Sequence, residues 1–169
     1  PEGGNPLYLM MAGRLISEGE EAGRVLARGK TELATVFADR ELARIAVYNR
    51  SGSRRLPLID HLVACVPLAG RVPARALSSF VAREHGARPE DAALAPEALV
   101  VWLRAALPTL SGGVAVAGPG LMREALIVRA LGDGHGGRAR AAVDRIASDN
   151  GAQTVAQVAR LAQDFARTD

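Results

Sequence analysis

The sequence is poor in several residue types on which common protein classes depend. Its 169 residues include one cysteine, Cys65, which excludes an internal disulfide framework and fits a reducing cytosol. Aromatic residues make up only 4% of the chain, so the core must be built from Leu, Val, Ile and Ala. No apolar run approaches the ~20 residues that a membrane-spanning helix requires. We therefore expect a cytoplasmic protein with no membrane partner.

Lysine is nearly absent as well, because Lys30 is the only one and arginine supplies the rest of the 21 basic residues. The formal net charge is +3, and acidic and basic residues are mixed along the chain without a basic block. This pattern favours a solvated surface over a nucleic-acid-binding one. Apolar residues reach 49%, and a composition rich in Ala and Leu, with Arg and Glu between them, favours helices.

The first part of the chain predicts three helices. Asn5 is a good N-cap and Pro6 a good first helical residue, because proline lacks the N–H that would have no partner there. This helix should end near Ser17. A short helix over Glu20 to Arg28 and a long amphipathic helix from Thr31 to Arg50 should follow. The residues predicted to share the buried face of the first helix are Leu7, Met10, Met11 and Leu15.

The centre of the chain predicts three more helices and then a short hairpin. The helices are expected from Pro57 to about Leu68, from Pro73 to about His85, and from Pro96 to Leu107. The stretch from Leu110 to Gly118 is predicted to form a β-hairpin with Gly112-Gly113 as its turn. Three helices followed by a small β-hairpin is the order of a winged helix-turn-helix.

Beyond the hairpin, one further helix to Leu131 and then a helical hairpin are predicted. The two helices of that hairpin should cover Arg138 to Ser148 and Ala152 to Arg167, with a turn at Asn150-Gly151. The predicted fold class is therefore mainly α: a helical lid, a winged helix-turn-helix with a small β-hairpin, and a C-terminal helical hairpin that could begin a repeat region. The corresponding predicted domains are residues 1–50, 51–132 and 133–169.

No set of residues indicates a catalytic or metal-binding centre. His61, His85 and His135 are far apart in the sequence and lack the Cys/His or Glu/His spacing of a metal site. Cys65 lies in an apolar stretch and is expected to be an inert core thiol. The Gly-rich stretch 132–137 follows a helix and is not followed by Lys, so a linker is favoured over a phosphate-binding loop. We therefore predict no enzyme activity for this chain.

The predicted helix from Pro96 to Leu107 would enter the major groove if the winged helix read DNA. It offers Arg104 and almost no other polar side chain for bases or phosphates. Trp102, among Val, Leu and Ala, is expected to anchor a core. We therefore expect this helix to pack against protein and consider nucleic acid an improbable partner. A winged-helix DNA-binding transcriptional regulator is the alternative, and a helical scaffold without nucleotide dependence is a third.

The order of these elements resembles the STAND class of P-loop ATPases, which includes the NACHT and NB-ARC switch proteins. In that class a Gly-x-Pro turn opens the helical lid behind the nucleotide, and its proline packs against the adenine. The resemblance covers Gly4 to Leu131. The residues that match the turn, and for which the resemblance implies an adenine contact, are Gly4, Asn5, Pro6 and Leu7.

The resemblance implies that the chain is a piece of a larger bacterial regulator, entered just before the lid. The phosphate-binding and magnesium-binding motifs of the class would lie before Pro1. ADP or ATP would then bind to the parent protein, and the chain itself would hold no cofactor, metal or catalytic residue. Its partner would be the P-loop domain of the same parent chain, with oligomeric assembly as a further state. The stretch from Pro119 to Leu126 lacks the His and Asp that relatives often carry there.

Overall fold

The computed structural model describes residues 5–47, 57–91, 93–132 and 136–165. Within these ranges the chain is mainly helical, as predicted, with eight α-helices and two short 3-10 turns. The helices are α1 (Pro6–Ser17), α2 (Ala22–Ala27), α3 (Lys30–Val47), α4 (Pro57–Leu68), α5 (Leu77–Gly86), α6 (Pro96–Ala106), α7 (Gly120–Leu131) and α8 (Gly136–Phe165).

The first helix begins where the sequence predicts and packs with a slightly different face. The Asn5 side-chain oxygen accepts hydrogen bonds from the backbone N–H groups of Leu7, at 3.0 Å, and Tyr8, at 3.4 Å. Met10, which was predicted to be buried, is 55% exposed, so that prediction is wrong. The buried face is centred on Tyr8, Met11 and Leu15, a spacing of three and four residues that turns Met10 outward.

Helix α4 is the centre of the core. Every residue from His61 to Leu68 is buried, which is typical of a helix surrounded by other elements. Helices α7 and α8 pack against α4, while α3 packs against α7 and α5 packs against α6. Because α4 is covered by helices that follow it in the chain, its apolar residues are not restricted to one face of the helix.

No β-strand forms in the described residues where the hairpin was predicted. Pro108 and Val114 form one isolated antiparallel bridge, flanked by hydrogen bonds between the chain segments on either side. Helix α6 ends at Ala106, directly before this bridge, and Pro108 has no N–H to donate to a ladder. The pairing is therefore limited to a single bridge, and the prediction of a β-hairpin with strands is not confirmed.

The turn of this loop also differs from the prediction. The Gly112 N–H donates to the Thr109 carbonyl at 3.0 Å, and the Thr109 N–H donates to the Gly113 carbonyl at 3.2 Å. Gly112 has a φ of +74°, a left-handed conformation that favours glycine. This is a three-residue loop closed by a left-handed glycine, and Gly112-Gly113 do not form the two-residue turn that was predicted.

A second bridge joins this loop to the connection between α4 and α5. Val72 and Val114 exchange two backbone hydrogen bonds, at 3.0 and 2.9 Å. Val114 thus lies between Val72 and Pro108. A Cβ added to Gly113 would lie 2.5 Å from the Val72 carbonyl oxygen, so only glycine permits this approach of the two backbones.

The last helix is broken at the residue where a turn was predicted. Asn150 has φ −148° and ψ 55°, which is not helical, although the chain is helical on both sides of it. The Asn150 side-chain amide donates to the Ala69 carbonyl at 3.2 Å, which fixes the break against the end of α4. The segments before and after the break, residues 136–149 and 151–165, form the C-terminal part of the fold.

Several contacts join parts of the chain that were predicted as separate domains. Lys30 of α3 forms an ion pair with Asp164 of α8 at 3.2 Å, and Asp39 of α3 pairs with Arg129 of α7 at 2.7 Å. The division into three domains stays a prediction. Among the described helices, none combines the length and the apolarity that crossing a bilayer would require.

Candidate functional site

The predicted adenine-contacting turn is described from Asn5 onward, and Gly4 lies outside the described residues. The Asn5 carboxamide caps α1, so its side-chain oxygen is already used for structure. Pro6 is exposed and Leu7 is half-buried against the core. Of the three described residues of this turn, Pro6 is thus the exposed one whose side chain is not engaged in a capping hydrogen bond.

Pro6 is part of a larger exposed surface on α1. We call this surface the outer face of α1, and its residues are Pro6, Leu9, Met10, Gly13 and Ile16. Leu9, Met10 and Ile16 are 51%, 55% and 36% exposed, while Met11 and Leu15 on the opposite side are buried. Arg14 and Ser17 are also exposed on α1, so this apolar patch lies beside polar side chains, an arrangement that is typical of an interaction surface.

A second candidate is a buried polar cluster formed by α4, α5 and α8. His61 Nε2 lies 2.9 Å from Glu84 Oε2, and Cys65 Sγ lies 3.5 Å from the same histidine nitrogen. Arg145 Nη2 donates to Glu84 Oε2 at 2.8 Å, and Arg83 Nε donates to Glu84 Oε1 at 3.4 Å. His61, Cys65 and Glu84 are at most 1% exposed, so the cluster is closed to solvent.

The charges of this cluster are set by burial and hydrogen bonding. Burial alone would raise the pKa of Glu84, but hydrogen bonds from His61 and Arg145 outweigh it and lower that pKa to about 2. The hydrogen bond to Glu84 raises the pKa of Arg145 further. Burial, reinforced by the Glu84 charge, raises the pKa of the Cys65 thiol well above its ordinary value. The cluster therefore holds an ionised carboxylate, a guanidinium cation and a neutral thiol.

This arrangement does not activate Cys65 as a nucleophile. In a catalytic triad the nucleophile and the orienting acid contact opposite nitrogens of the histidine. Here Cys65 and Glu84 both face Nε2, and Nδ1 of His61 is buried without a partner in the described part of the chain. A proton on Nε2 is needed for the hydrogen bond to Glu84, so this nitrogen cannot also accept the thiol proton. The inaccessible thiol is consistent with the expected inert core cysteine.

The same three side chains are also candidate metal ligands. One ligand atom each of His61, Cys65 and Glu84 lies within 4.8 Å of the other two, and this donor set is one that zinc accepts. However, the Arg145 guanidinium lies against the carboxylate oxygen that a metal would use. Its positive charge already balances Glu84, so the cluster is better described as a hydrogen-bonded core network than as a metal centre.

Sequence reasoning found no metal-site spacing around His61 and did not identify its partner. Glu84 follows Leu77, Phe80 and Val81 at helical spacing, which places it on the buried face of α5. A carboxylate at a core position of an amphipathic helix is a signal of a buried partner, and this signal was available in the sequence. The cation, Arg145, comes from a helix far along the chain and could not be identified from spacing.

The other histidines do not join this cluster in the described residues. His85 lies at the end of α5, where its Nε2 is 3.1 Å from the Leu94 carbonyl oxygen. This position fits the expected histidine at a helix C-terminus. His135 and its neighbours 133 and 134 in the Gly-rich stretch lie outside the described residues.

Helix α6 packs as its sequence predicts. Trp102 is 7% exposed and faces the core together with Leu99 and Leu103. The outward residues of α6 are Glu97, Ala98, Val101, Arg104 and Ala105. Val101 alone is 70% exposed, and this face carries one cation and one carboxylate. It therefore offers little to the base edges or the phosphates of duplex DNA.

Comparison with protein-family models, with curated proteins and with solved structures returned no match.

Proposed function

We propose that this chain is the lid and winged-helix part of a cytoplasmic STAND-type P-loop ATPase of the NACHT or NB-ARC kind. In this role it packs on the nucleotide-binding domain of the same parent chain and transmits the ADP or ATP state to assembly or effector parts. The observation that carries the proposal is the outer face of α1. This apolar surface begins at Pro6, the residue that the resemblance assigns to the adenine contact.

The backbone pairing supports the winged-helix part of this proposal. In a winged helix a short segment after the first helix pairs with the hairpin that follows the third helix. Here Val72 follows α4 and pairs with Val114, which also pairs with Pro108 after α6. This connectivity supports the proposal of a winged helix whose strands are reduced to single bridges.

The outer face of α1 could supply the energy difference that such a switch needs. A ligand shifts a two-state equilibrium only through contacts that differ between the states. Leu9, Met10 and Ile16 are 36 to 55% exposed, and covering them in one state would contribute about 2 to 4 kcal/mol. That free energy corresponds to a shift in populations of roughly 30- to 700-fold. No catalytic residue of this chain is required for the shift.

The test is nucleotide retention by the parent protein. We expect Met10→Asp to speed ADP release by about tenfold or more, because a charge replaces an apolar contact with the nucleotide-binding domain. The matched control is Val101→Asp, a charge placed on a valine of α6 that is 70% exposed, which should leave release unchanged. Release can be followed by fluorescence of a labelled ADP.

Two outcomes would contradict this function. One is a parent sequence without a Gly-rich Lys-Ser/Thr loop before Pro1. The other is equal ADP release by the two variants. Tight, sequence-selective binding of duplex DNA would instead favour a transcriptional regulator, an alternative to which the apolar outward face of α6 gives no support.

A further inference from the structure

A cavity of about 520 Å³ opens between the α4–α5 connection, α7 and the second part of α8. Ligand pockets of small molecules have volumes of roughly 300 to 1,000 Å³, so this one is large enough for a phosphorylated metabolite. It is separate from the outer face of α1 and from the buried His61–Glu84 cluster, since none of their residues line it.

The cavity is lined by four arginines from three different elements. Arg71 and Arg75 belong to the α4–α5 connection, Arg123 to α7 and Arg160 to α8. Among the described residues none of the four forms an ion pair or a side-chain hydrogen bond, and no carboxylate lines the cavity. Four arginines that line one space, with no carboxylate among the lining residues, create a positive potential there.

Acidic groups near two of these arginines do not neutralise the cavity. The positive charges of Arg123 and Arg160 lower the pKa of Glu124. Burial and the neighbouring Asp164 outweigh them and raise that pKa to about 7. Glu124 is therefore only partly ionised at neutral pH, and Asp164 is itself paired with Lys30. Neither carboxyl group is among the lining residues.

Two donors of the residues at the cavity are buried and lack a partner among the described residues. Gln157 is 3% exposed and lines the cavity, and its side-chain Nε2 makes no hydrogen bond to the described part of the chain. The Nε atom of Arg123 is buried and unpartnered in the same sense. Buried donors in proteins are nearly always satisfied by protein, by ordered water or by a ligand, so these two N–H groups are donors that a bound acceptor would satisfy.

We propose that this cavity binds a small molecule that carries a phosphate group. The phosphate would accept hydrogen bonds from Arg123 and Gln157, and Arg71, Arg75 and Arg160 would balance its two negative charges. Arginine favours phosphate because its planar fork of donors matches two phosphate oxygens at once. A small molecule is favoured over a nucleic-acid backbone, because the four arginines come from three elements around one cavity of about 520 Å³.

The experiment is calorimetric titration of the 169-residue chain with ribose 5-phosphate. We expect saturable binding with one site per chain, tighter than for inorganic phosphate, and no binding of ribose. Arg123→Gln should weaken binding by about tenfold or more, because a charge-assisted hydrogen bond is lost. Arg104→Gln is the control, since it removes an equal charge from the exposed face of α6.

A second variant tests the buried amide. Gln157→Glu preserves size but replaces a donor by a negative charge, so binding should be abolished. Gln163→Glu makes the same change at an exposed position of α8 and should have no effect. If Gln157→Glu does not fold, as judged by circular dichroism, the exposed variant Arg71→Gln provides the same test through its expected loss of affinity.

Three results would overturn the proposal. They are the absence of ribose 5-phosphate binding, equal affinities of the Arg123→Gln and Arg104→Gln variants, and binding of inorganic phosphate as tight as that of ribose 5-phosphate. A short single-stranded DNA that bound more tightly than ribose 5-phosphate, with the same dependence on Arg123, would assign the cavity to a nucleic-acid backbone instead.

Discussion

At Glu84, burial and hydrogen bonding act on one carboxylate in opposite directions. Burial favours the protonated acid, while His61 and Arg145 favour the anion and dominate, so the pKa falls to about 2. A carboxyl group with a lowered pKa in the folded state contributes stability above its unfolded pKa of about 4.5. That contribution, about 3 kcal/mol, is lost as the pH falls from about 4.5 to 2.

Arg145→Met should expose this dependence. Removing the guanidinium closest to the buried Glu84 carboxylate weakens the balance of its charge and should lower the free energy of unfolding by about 3 kcal/mol at neutral pH. The variant should also lose less stability than the wild type between pH 5 and pH 3, because the pKa of Glu84 is less depressed when only His61 and Arg83 remain as its partners. Arg140→Met on the same helix removes an exposed pair with Asp144, at 3.9 Å, and should cost less than 1 kcal/mol.

Urea denaturation over this pH range measures both effects. Equal losses for the Arg145 and Arg140 variants would show that the buried pair does not stabilise the fold. A wild-type stability that is flat between pH 5 and pH 3 would contradict the lowered pKa of Glu84.

Single residues were predictable where one local rule decides their role. Asn5 as a cap, Cys65 as a core thiol and Trp102 as a core anchor follow from their immediate neighbours, and the described structure agrees with each. Met10 was assigned to the wrong face because Tyr8, which donates to the Leu26 carbonyl at 3.0 Å, rotates the buried face of α1 toward α2. Gln157 and its cavity depend on contacts between distant segments, which no local rule gives.

At the scale of elements, Gly113 controls the contact between two connections. A Cβ there would lie 2.5 Å from the Val72 carbonyl oxygen and 3.1 Å from the Pro73 Cα, both backbone atoms. We expect Gly113→Ala to lower the stability by about 2 kcal/mol or more, because the backbones must separate and the two Val72–Val114 hydrogen bonds weaken.

The control for this prediction is Gly137→Ala. A Cβ at Gly137, within the first turn of α8, would meet no atom within 4 Å. Its replacement should be neutral or stabilising by up to about 1 kcal/mol, since alanine favours a helix. Thermal denaturation compares the two variants. A Gly113→Ala protein as stable as the wild type would mean that the bridge between Val72 and Val114 is not needed for the fold.

Helices were predicted well because their ends are local. Pro6, Pro57 and Pro96 each stand at the start of the helix that the structure describes, as expected for proline at the first helical position. The predicted β-hairpin was not confirmed, because a strand ladder needs free N–H groups on both segments. Here Pro108 removes one donor, and the partner that Val114 uses fully is Val72, a residue outside the predicted hairpin.

At the scale of the whole molecule, the apolar core is buried, while two surfaces with binding potential are accessible. Helices α3, α7 and α8 are joined by ion pairs that link the first third of the chain to the last. The outer face of α1 is apolar, and the cavity lined by Arg71, Arg75, Arg123 and Arg160 is cationic. The two surfaces differ in chemistry, so they suit different occupants, a protein and a small anion.

The outer face of α1 also predicts how the isolated chain behaves. Without the proposed nucleotide-binding domain to cover this face, Leu9 and Met10 remain about half exposed and should pair with a second copy at high concentration. We expect weak, concentration-dependent dimers in sedimentation velocity, abolished by Leu9→Lys with Met10→Lys. Val101→Lys with Val155→Lys adds the same charge at valines that are 70% and 66% exposed elsewhere, and should leave association intact. If Val101→Lys with Val155→Lys abolished the dimer and Leu9→Lys with Met10→Lys did not, the surface that mediates self-association would lie outside α1. The α1 face would then lose its main support as a docking surface for a nucleotide-binding domain.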